Sequence, residues 1–200
     1  MANSNTPWGL SPRKYMNGSP WNGQATMYYI ASGDTNAYAI GDPVTLSGSG
    51  DGNGVAGVTL ATAGSTNLVL GPILGMGGIA YGGPGVDPNS PNITVIPATK
   101  SKAYYVLVAD DPNILFSIQD SGDGTAFAAT NIGNNANLKS GTNSGYLSGW
   151  QLTDTLPGTG ATLQVQLLGL DQVPGNAYGA YAKWLVRINT HQFRAGVSGV

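Results

Sequence analysis

The 200-residue chain has no cysteine, no glutamate and a single histidine, and only 9% of its residues are charged. Without cysteine there is no disulfide, no thiolate metal site and no Cys nucleophile. One histidine, His191, excludes a His-rich metal centre. A Ser-His-Asp triad needs only one histidine, but no Gly-x-Ser-x-Gly elbow precedes this one. His191 is therefore expected to be a structural or interface residue. All ten acidic residues are aspartate. Asp favours turns where Glu favours helix, so the missing Glu argues against helix. It also removes the twelfth-position ligand of an EF-hand, so Asp120-Ser121-Gly122-Asp123-Gly124 reads as a turn. No stretch approaches the roughly 20 apolar residues of a membrane span, and Met1–Leu10 is too polar for a secretory signal. The eight basic residues are scattered, with Arg13-Lys14 the one adjacent pair, so nucleic acid and membrane are not expected partners. A surface so poor in charge suits a protein packed against neighbours.

Glycine and proline are abundant, at 31 and 12 residues. Both interrupt helices, leaving room for many short strands. Leu, Ile, Val and Phe make up little more than a fifth of the chain, enough for a core, though a modest one. Strands are expected over 24–31, 44–46, 55–61, 67–74, 93–96, 103–109, 113–119, 146–152, 162–170 and 183–189. Ile114, Phe116 and Ile118 share one face of their strand by period-two alternation; Leu163, Val165 and Leu167, and Trp184, Val186 and Ile188, do the same. Asp51-Gly52 and Asn53-Gly54 signal a hairpin. Asp110-Asp111-Pro112-Asn113 signals a tight turn, 75–91 a long loop, and 125–131 one or two helical turns. The expected fold is all-β, a jelly-roll-like β-sandwich or barrel with little helix. An extended N-terminal arm occupies residues 1–23, the β-rich domain 24–194 and a C-terminal tail 195–200.

Catalytic patterns fail on inspection. Asp110 and Asp111 are adjacent, so in extended chain they point to opposite sides and make a poor carboxylate pair. Gly52-Asn53-Gly54-Val55-Ala56-Gly57 fits Gly-x-Gly-x-x-Gly but runs into a strand, where a dinucleotide fingerprint opens a helix. Asn92-Ile93-Thr94 fits the glycosylation triplet, which matters only in a secreted protein. No enzyme activity and no cofactor is expected.

Several segments, in order, carry a resemblance: Met1-Ala2-Asn3 with Pro12; Tyr29-Ile30-Ala31-Ser32-Gly33; Gly41-Asp42-Pro43-Val44; Asp110-Asp111-Pro112-Asn113 with Phe116 and Gln119; Ala129-Thr130-Asn131-Ile132-Gly133 with Asn135-Ala136. The series ends on Asn176, Tyr178-Gly179, Ala182-Lys183, Ile188-Asn189 and His191-Gln192-Phe193. Over about residues 1–194 the chain resembles the capsid cement, or head decoration, proteins of tailed bacteriophages, and 195–200 extends past that family's usual end. The resemblance implies a β-rich, jelly-roll-like protein on the outer surface of the virion head. There it would straddle joints between major capsid proteins, with the major capsid protein and further copies of itself (a dimer or trimer) as partners. The arm's aromatics, Trp8, Tyr15 and Trp21, are the expected interface anchors, and Arg13 and Lys14 are expected to pair with acidic capsid residues. Two rival readings are a receptor- or carbohydrate-binding module of a tail fibre or spike, and a jelly-roll hydrolase, which the single His and absent Glu disfavour.

Overall fold

The computed structural model describes residues 3–76, 93–153, 157–194, 196, 198 and 199. Its strands are β1 (Ser11–Tyr15), β2 (Thr26–Ile30), β3 (Tyr38–Ala39), β4 (Pro43–Gly50), β5 (Ala56–Leu60), β6 (Gly71–Met76), β7 (Val95–Ile96), β8 (Tyr104–Val108), β9 (Ile114–Gln119), β10 (Asn135–Ala136), β11 (Leu138–Lys139), β12 (Gln151–Leu152), β13 (Val165–Leu170) and β14 (Lys183–Ile188). The one helical element among the described residues is a 3-10 turn, Ala129–Asn131. The expected all-β class with little helix is what the chain adopts. Most of the expected loop over 75–91 lies outside the described residues, as do Asn92 of the glycosylation triplet and Leu156.

Two small two-stranded sheets are β3-β7 and β11-β12, and the other ten strands form two packed bodies. One is a closed barrel in the order β2-β5-β4-β6-β8, and the other a five-stranded sheet in the order β1-β9-β14-β13-β10. Each has its own core. Ile30, Val44, Ile73, Val106 and Val108 fill the barrel; Phe116, Ile118, Trp184, Val186 and Leu167 lie under the sheet. The alternating faces read from sequence are the core faces: Ile114, Phe116, Ile118, Trp184, Val186 and Ile188 are all at most 2% exposed. Trp184 is the centre of the sheet core, with the Phe127 ring edge-on at 5.9 Å and Tyr178 at 5.7 Å. In β9 the opposite face, Leu115, Ser117 and Gln119, is buried too, because the segments before β1 and after β13 fold over it. Gln119 Nε2 donates to the Ser4 carbonyl at 2.8 Å, and Ser117 Oγ donates to Asp171 Oδ2 at 2.6 Å.

The turn at 110–113 does more than reverse the chain. β8 belongs to the barrel and β9 to the sheet, so Asp110–Asn113 carries the chain from one body to the other. Asp110 accepts from Tyr28 Oη at 2.7 Å and Thr26 Oγ1 at 3.0 Å, tying that crossing to β2. Two glutamines clamp the bodies further. Gln192 Oε1 accepts from the Leu46 N–H at 2.7 Å and Thr45 Oγ1 at 3.1 Å. Buried Gln164 donates to the Thr62 carbonyl at 2.8 Å and accepts from the Gly64 N–H at 2.9 Å. Each side-chain amide carries both a donor and acceptors, so one residue can satisfy backbone groups on two strands at once.

Three local expectations change. The strand expected at 67–74 begins only at Gly71, because residues 66–70 turn toward the sheet: Val69 N–H donates to the Thr190 carbonyl at 3.0 Å. Of 146–152 only Gln151–Leu152 is strand. Gly141 and Gly149 pack backbone to backbone there, and a Cβ on Gly149 would meet the Thr142 carbonyl oxygen at 2.2 Å. The helical turns expected at 125–131 shrink to one 3-10 turn, where Asn131 Oδ1 accepts the Ala128 N–H at 2.7 Å, the local competition that makes Asn a poor helix former.

Candidate interaction surface

Residues 1–23 were expected to form an arm with aromatics free to dock elsewhere. The described part of the arm is extended, but it is sewn into its own chain. β1 pairs antiparallel with β9, Ser11 opposite Ser117 and Tyr15 opposite Ile114, with a bulge at Arg13. Just before it, Gly9 and Gly41 pass at near contact, both with φ in the left-handed region, +71° and +92°. A Cβ on Gly41 would sit 2.0 Å from the Trp8 carbonyl oxygen, and one on Gly9 would sit 2.2 Å from the Gly41 carbonyl oxygen. Glycine at both positions lets the arm hydrogen-bond to the barrel side, Leu10 N–H to the Gly41 carbonyl at 3.0 Å.

The five expected anchor residues separate accordingly. Tyr15 and Trp21 pack against the sheet core; Tyr15 Oη also donates to Asn22 Oδ1 at 3.1 Å and Trp21 Nε1 to the Gln24 carbonyl at 3.3 Å. Trp8 is half-buried, with the Lys183 ammonium 5.1 Å from its ring centre, a cation–π contact. Arg13 is already neutralised by Asp171 at 3.1 Å. Only Lys14 is exposed with no carboxylate beside it among the described residues. Tyr15 and Trp21 thus anchor the arm to its own fold, because the strand pairing of β1 brings them over the apolar core of the sheet within the same chain.

Both edges of the five-stranded sheet are closed as well. Tyr15 N–H donates to the Ser19 carbonyl and Trp21 N–H to the Arg13 carbonyl, covering the outer side of β1. At the other edge Asn135 and Gly158 exchange both backbone hydrogen bonds at 2.8 Å. The barrel closes on itself. Covered edges leave little backbone for strand addition by another chain, so recognition falls to side chains. Among the described residues the large apolar side chains most exposed are Tyr146 and Phe193, each 57%, with Met16, Leu68 and Tyr178 next. None of these was singled out from sequence as a contact residue. The available signal was an aromatic flanked by glycine in an otherwise polar loop, as in Gly145-Tyr146 and Tyr178-Gly179.

Two surface clefts are polar. One of about 410 Å³ is lined by Tyr15, Asn17, Asn22, Gln24, Asp111 and Asn113. Another, of about 630 Å³, includes Asp123, Asn137 and Lys139, with Asp123 and Lys139 ion-paired. His191 is 2% exposed; its Nδ1 accepts the Phe193 N–H at 3.1 Å, and Nε2 is buried with no partner among the described residues. Burial pushes the imidazole's proton affinity down. This histidine holds a turn and presents no base to solvent. Asp110 and Asp111 serve different partners, Asp111 Oδ1 accepting the Asn113 N–H at 2.8 Å. Residues 52–57 form the β4–β5 hairpin turn and the start of β5. Among the described residues no three His, Cys, Asp or Glu side chains converge as a metal site, and no helix is long and apolar enough to cross a membrane.

Comparison with known proteins gives no further guide: no family model, no curated protein and no solved structure matches the chain.

Proposed function

We propose that this protein is a structural component of a tailed-bacteriophage head, a cement protein that binds the outside of the capsid and bridges neighbouring capsomers, with no catalytic role. The observation that carries the reading is where the resembling motifs fall in the fold. Gly41-Asp42-Pro43 receives the arm and opens the barrel strand β4. Asp110–Asn113 carries the chain from barrel to sheet, Asn135-Ala136 closes the far sheet edge, and Gln192 of His191-Gln192-Phe193 clamps the sheet end to β4. Motifs at the joints of a two-body scaffold are what a shared rigid fold requires, and they support common architecture with the cement proteins.

Such a protein works by position. Packed DNA pushes the shell outward, and a rigid body touching several capsid subunits at once gains avidity without strong single contacts. Binding to the assembled shell alone stabilises it over its dissociated subunits by mass action. Closed edges suit this role, because they discourage uncontrolled strand pairing between copies. The test is electron cryo-microscopy of purified virions: density for this fold outside the shell and across capsomer joints is expected, and a head lacking it overturns the reading.

A tail-fibre or spike sugar-binding module is the second reading, favoured by the 410 Å³ cleft, where amides and a tyrosine could bond and stack on a neutral polyhydroxylated ligand. Density confined to the tail would move this reading to first place.

A further inference from the structure

Strand register brings together cations that lie far apart in sequence. Lys14 is opposite Leu115, Leu115 is opposite Arg187, and Arg187 is opposite Gln166. Directly paired residues share a face of the sheet, so these four side chains form one row on the face away from the Trp184 core. Neighbouring strands lie about 4.8 Å apart, which puts the Lys14 and Arg187 backbones roughly 10 Å from each other.

Arg187 is the unusual member. It sits on the central strand and is only 6% exposed. Its Nε donates to Gln166 Oε1 at 2.8 Å, and Gln166 is itself held by Nε2 donating to the Gly133 carbonyl at 3.0 Å. Among the described residues that is the one hydrogen bond the guanidinium makes, and none of their carboxylates lies within ion-pair reach of it. Burial lowers the proton affinity of Arg187, and the charge of Arg194 lowers it further. Other cations are compensated differently: Arg13, Lys100 and Lys139 each have an aspartate partner. Arg187, Arg194 and Lys14 have none among the described residues. A buried cation held in a fixed orientation, in the field of a second cation and without a counter-charge, is costly for a fold to keep. An incoming anion would offset that cost.

The geometry points to a carboxylate-recognition site built on Arg187 and Lys14, in the field of Arg194, which takes an acidic peptide segment of a protein partner. With Nε engaged by Gln166, the two Nη groups of Arg187 present a planar fork that matches the two oxygens of a carboxylate. Lys14, in the same row, supplies a positive charge for a second acidic group. A nucleic acid fits less well: the chain carries a net charge of −2, which repels a long polyanion, and three cations neutralise few phosphates. The site does not rest on the capsid reading; a virion map without this chain leaves it standing, and failure of the peptide test leaves the virion map unaffected.

The experiment titrates the full chain into a fluorescently labelled hexa-aspartate peptide and reads anisotropy, with hexa-asparagine and a six-nucleotide DNA strand as comparisons. Saturable, salt-sensitive binding of hexa-aspartate alone is expected. The exposed and half-buried partners are changed together, Lys14→Gln with Arg194→Gln, a pair whose thermal midpoint should match the wild type. This variant should bind roughly tenfold more weakly. Arg187→Gln should abolish binding; because it alters a buried position, the double variant carries the decision if it fails to fold. No saturable binding, equal binding of hexa-asparagine, unchanged affinity in the double variant, or tighter binding of the DNA strand would each overturn the assignment.

Discussion

The ammonium of Lys100 is held by Asp34 inside a cage of oxygens. Lys100 Nζ lies 3.0 Å from Asp34 Oδ1, 2.7 Å from the Asp34 carbonyl and 2.6 Å from the Asn36 carbonyl, and its side chain is wholly buried. Tyr38 lies beneath it, the ammonium 5.2 Å from the ring centre. The opposite carboxylate oxygen, Asp34 Oδ2, accepts from Tyr38 Oη and Thr59 Oγ1, each at 2.8 Å. One ion pair thus joins the loop between β2 and β3, strand β5 and the segment after β7.

Replacing Lys100 by Met leaves the Asp34 carboxylate buried without its cation. The expected loss is about 3–5 kcal/mol of unfolding free energy, read as a lower urea midpoint. Lys100→Arg should lose less, since the charge remains, but the guanidinium is too wide for the carbonyl cage.

The same pair sets an acid limit. Burial pushes the Asp34 carboxyl up, but hydrogen bonds from the Asn36 N–H, Lys100, Thr59 and Tyr38 outweigh it and hold the pKa at about 2, against 3.8 ordinarily. The folded protein therefore releases this proton more readily than the unfolded chain. The resulting stability is fully present above pH 3.8 and is lost as pH falls toward 2. Urea midpoints measured from pH 5 downward should fall through that window in the wild type, and the fall should be shallower in Asp34→Asn.

His191 adds a second, higher window. Burial lowers its pKa below 6.5, so the unfolded chain takes up a proton that the folded chain refuses. Stability should be complete above pH 6.5 and decline below it. His191→Leu, which cannot titrate, should remove that part of the slope in the same urea series. An unchanged slope would show that the imidazole is solvated in the folded state.

Asp42 titrates in the opposite sense. It is 1% exposed, and Oδ2 accepts the Ala39 N–H at 2.7 Å and Asn143 Nδ2 at 3.1 Å. Burial pushes its carboxyl up, so the folded chain holds the proton longer and the charged form costs stability as pH rises through the folded value. Asp42→Asn keeps an acceptor without the charge and should match or exceed wild-type stability at pH 7. Asp42→Ala strands the buried Ala39 donor and should cost about 1–3 kcal/mol. Thermal melts of the two variants at pH 7 separate charge from hydrogen bonding.

The arm gives a prediction of a different kind. Gly41→Ala forces a methyl group against the Trp8 carbonyl oxygen and puts a side chain in a left-handed conformation. It should detach residues before Leu10, seen as rapid limited proteolysis there, while the circular dichroism of the remaining β structure persists. Protection equal to the wild type would mean that the close approach relaxes at little cost.

Much of the strand pattern was legible locally. The Ile114, Phe116, Ile118 and Trp184, Val186, Ile188 faces follow from alternation alone, because side chains on a strand repeat every two residues whatever the strand pairs with. Asp51–Gly54 announced its hairpin, since the turn chemistry lies within those four residues. The anchor residues were a different matter. Trp8, Tyr15 and Trp21 were recognisable as aromatics needing a surface, but local sequence does not say whose surface. Register answered that: β1 pairs with β9, a hundred residues on, and lays Tyr15 and Trp21 over their own sheet core.

The sequence by itself determined that this chain is β-rich, turn-punctuated, free of thiol and Glu chemistry, and low in charge. These properties are set by residue type and short-range spacing. Only the tertiary structure decided that β8 and β9, adjacent in sequence, belong to different bodies, that Lys100 is caged by Asp34 and that Arg187 is buried without a carboxylate. Each depends on which distant strands become neighbours, and that choice is made by the packing of whole faces, not by any segment alone.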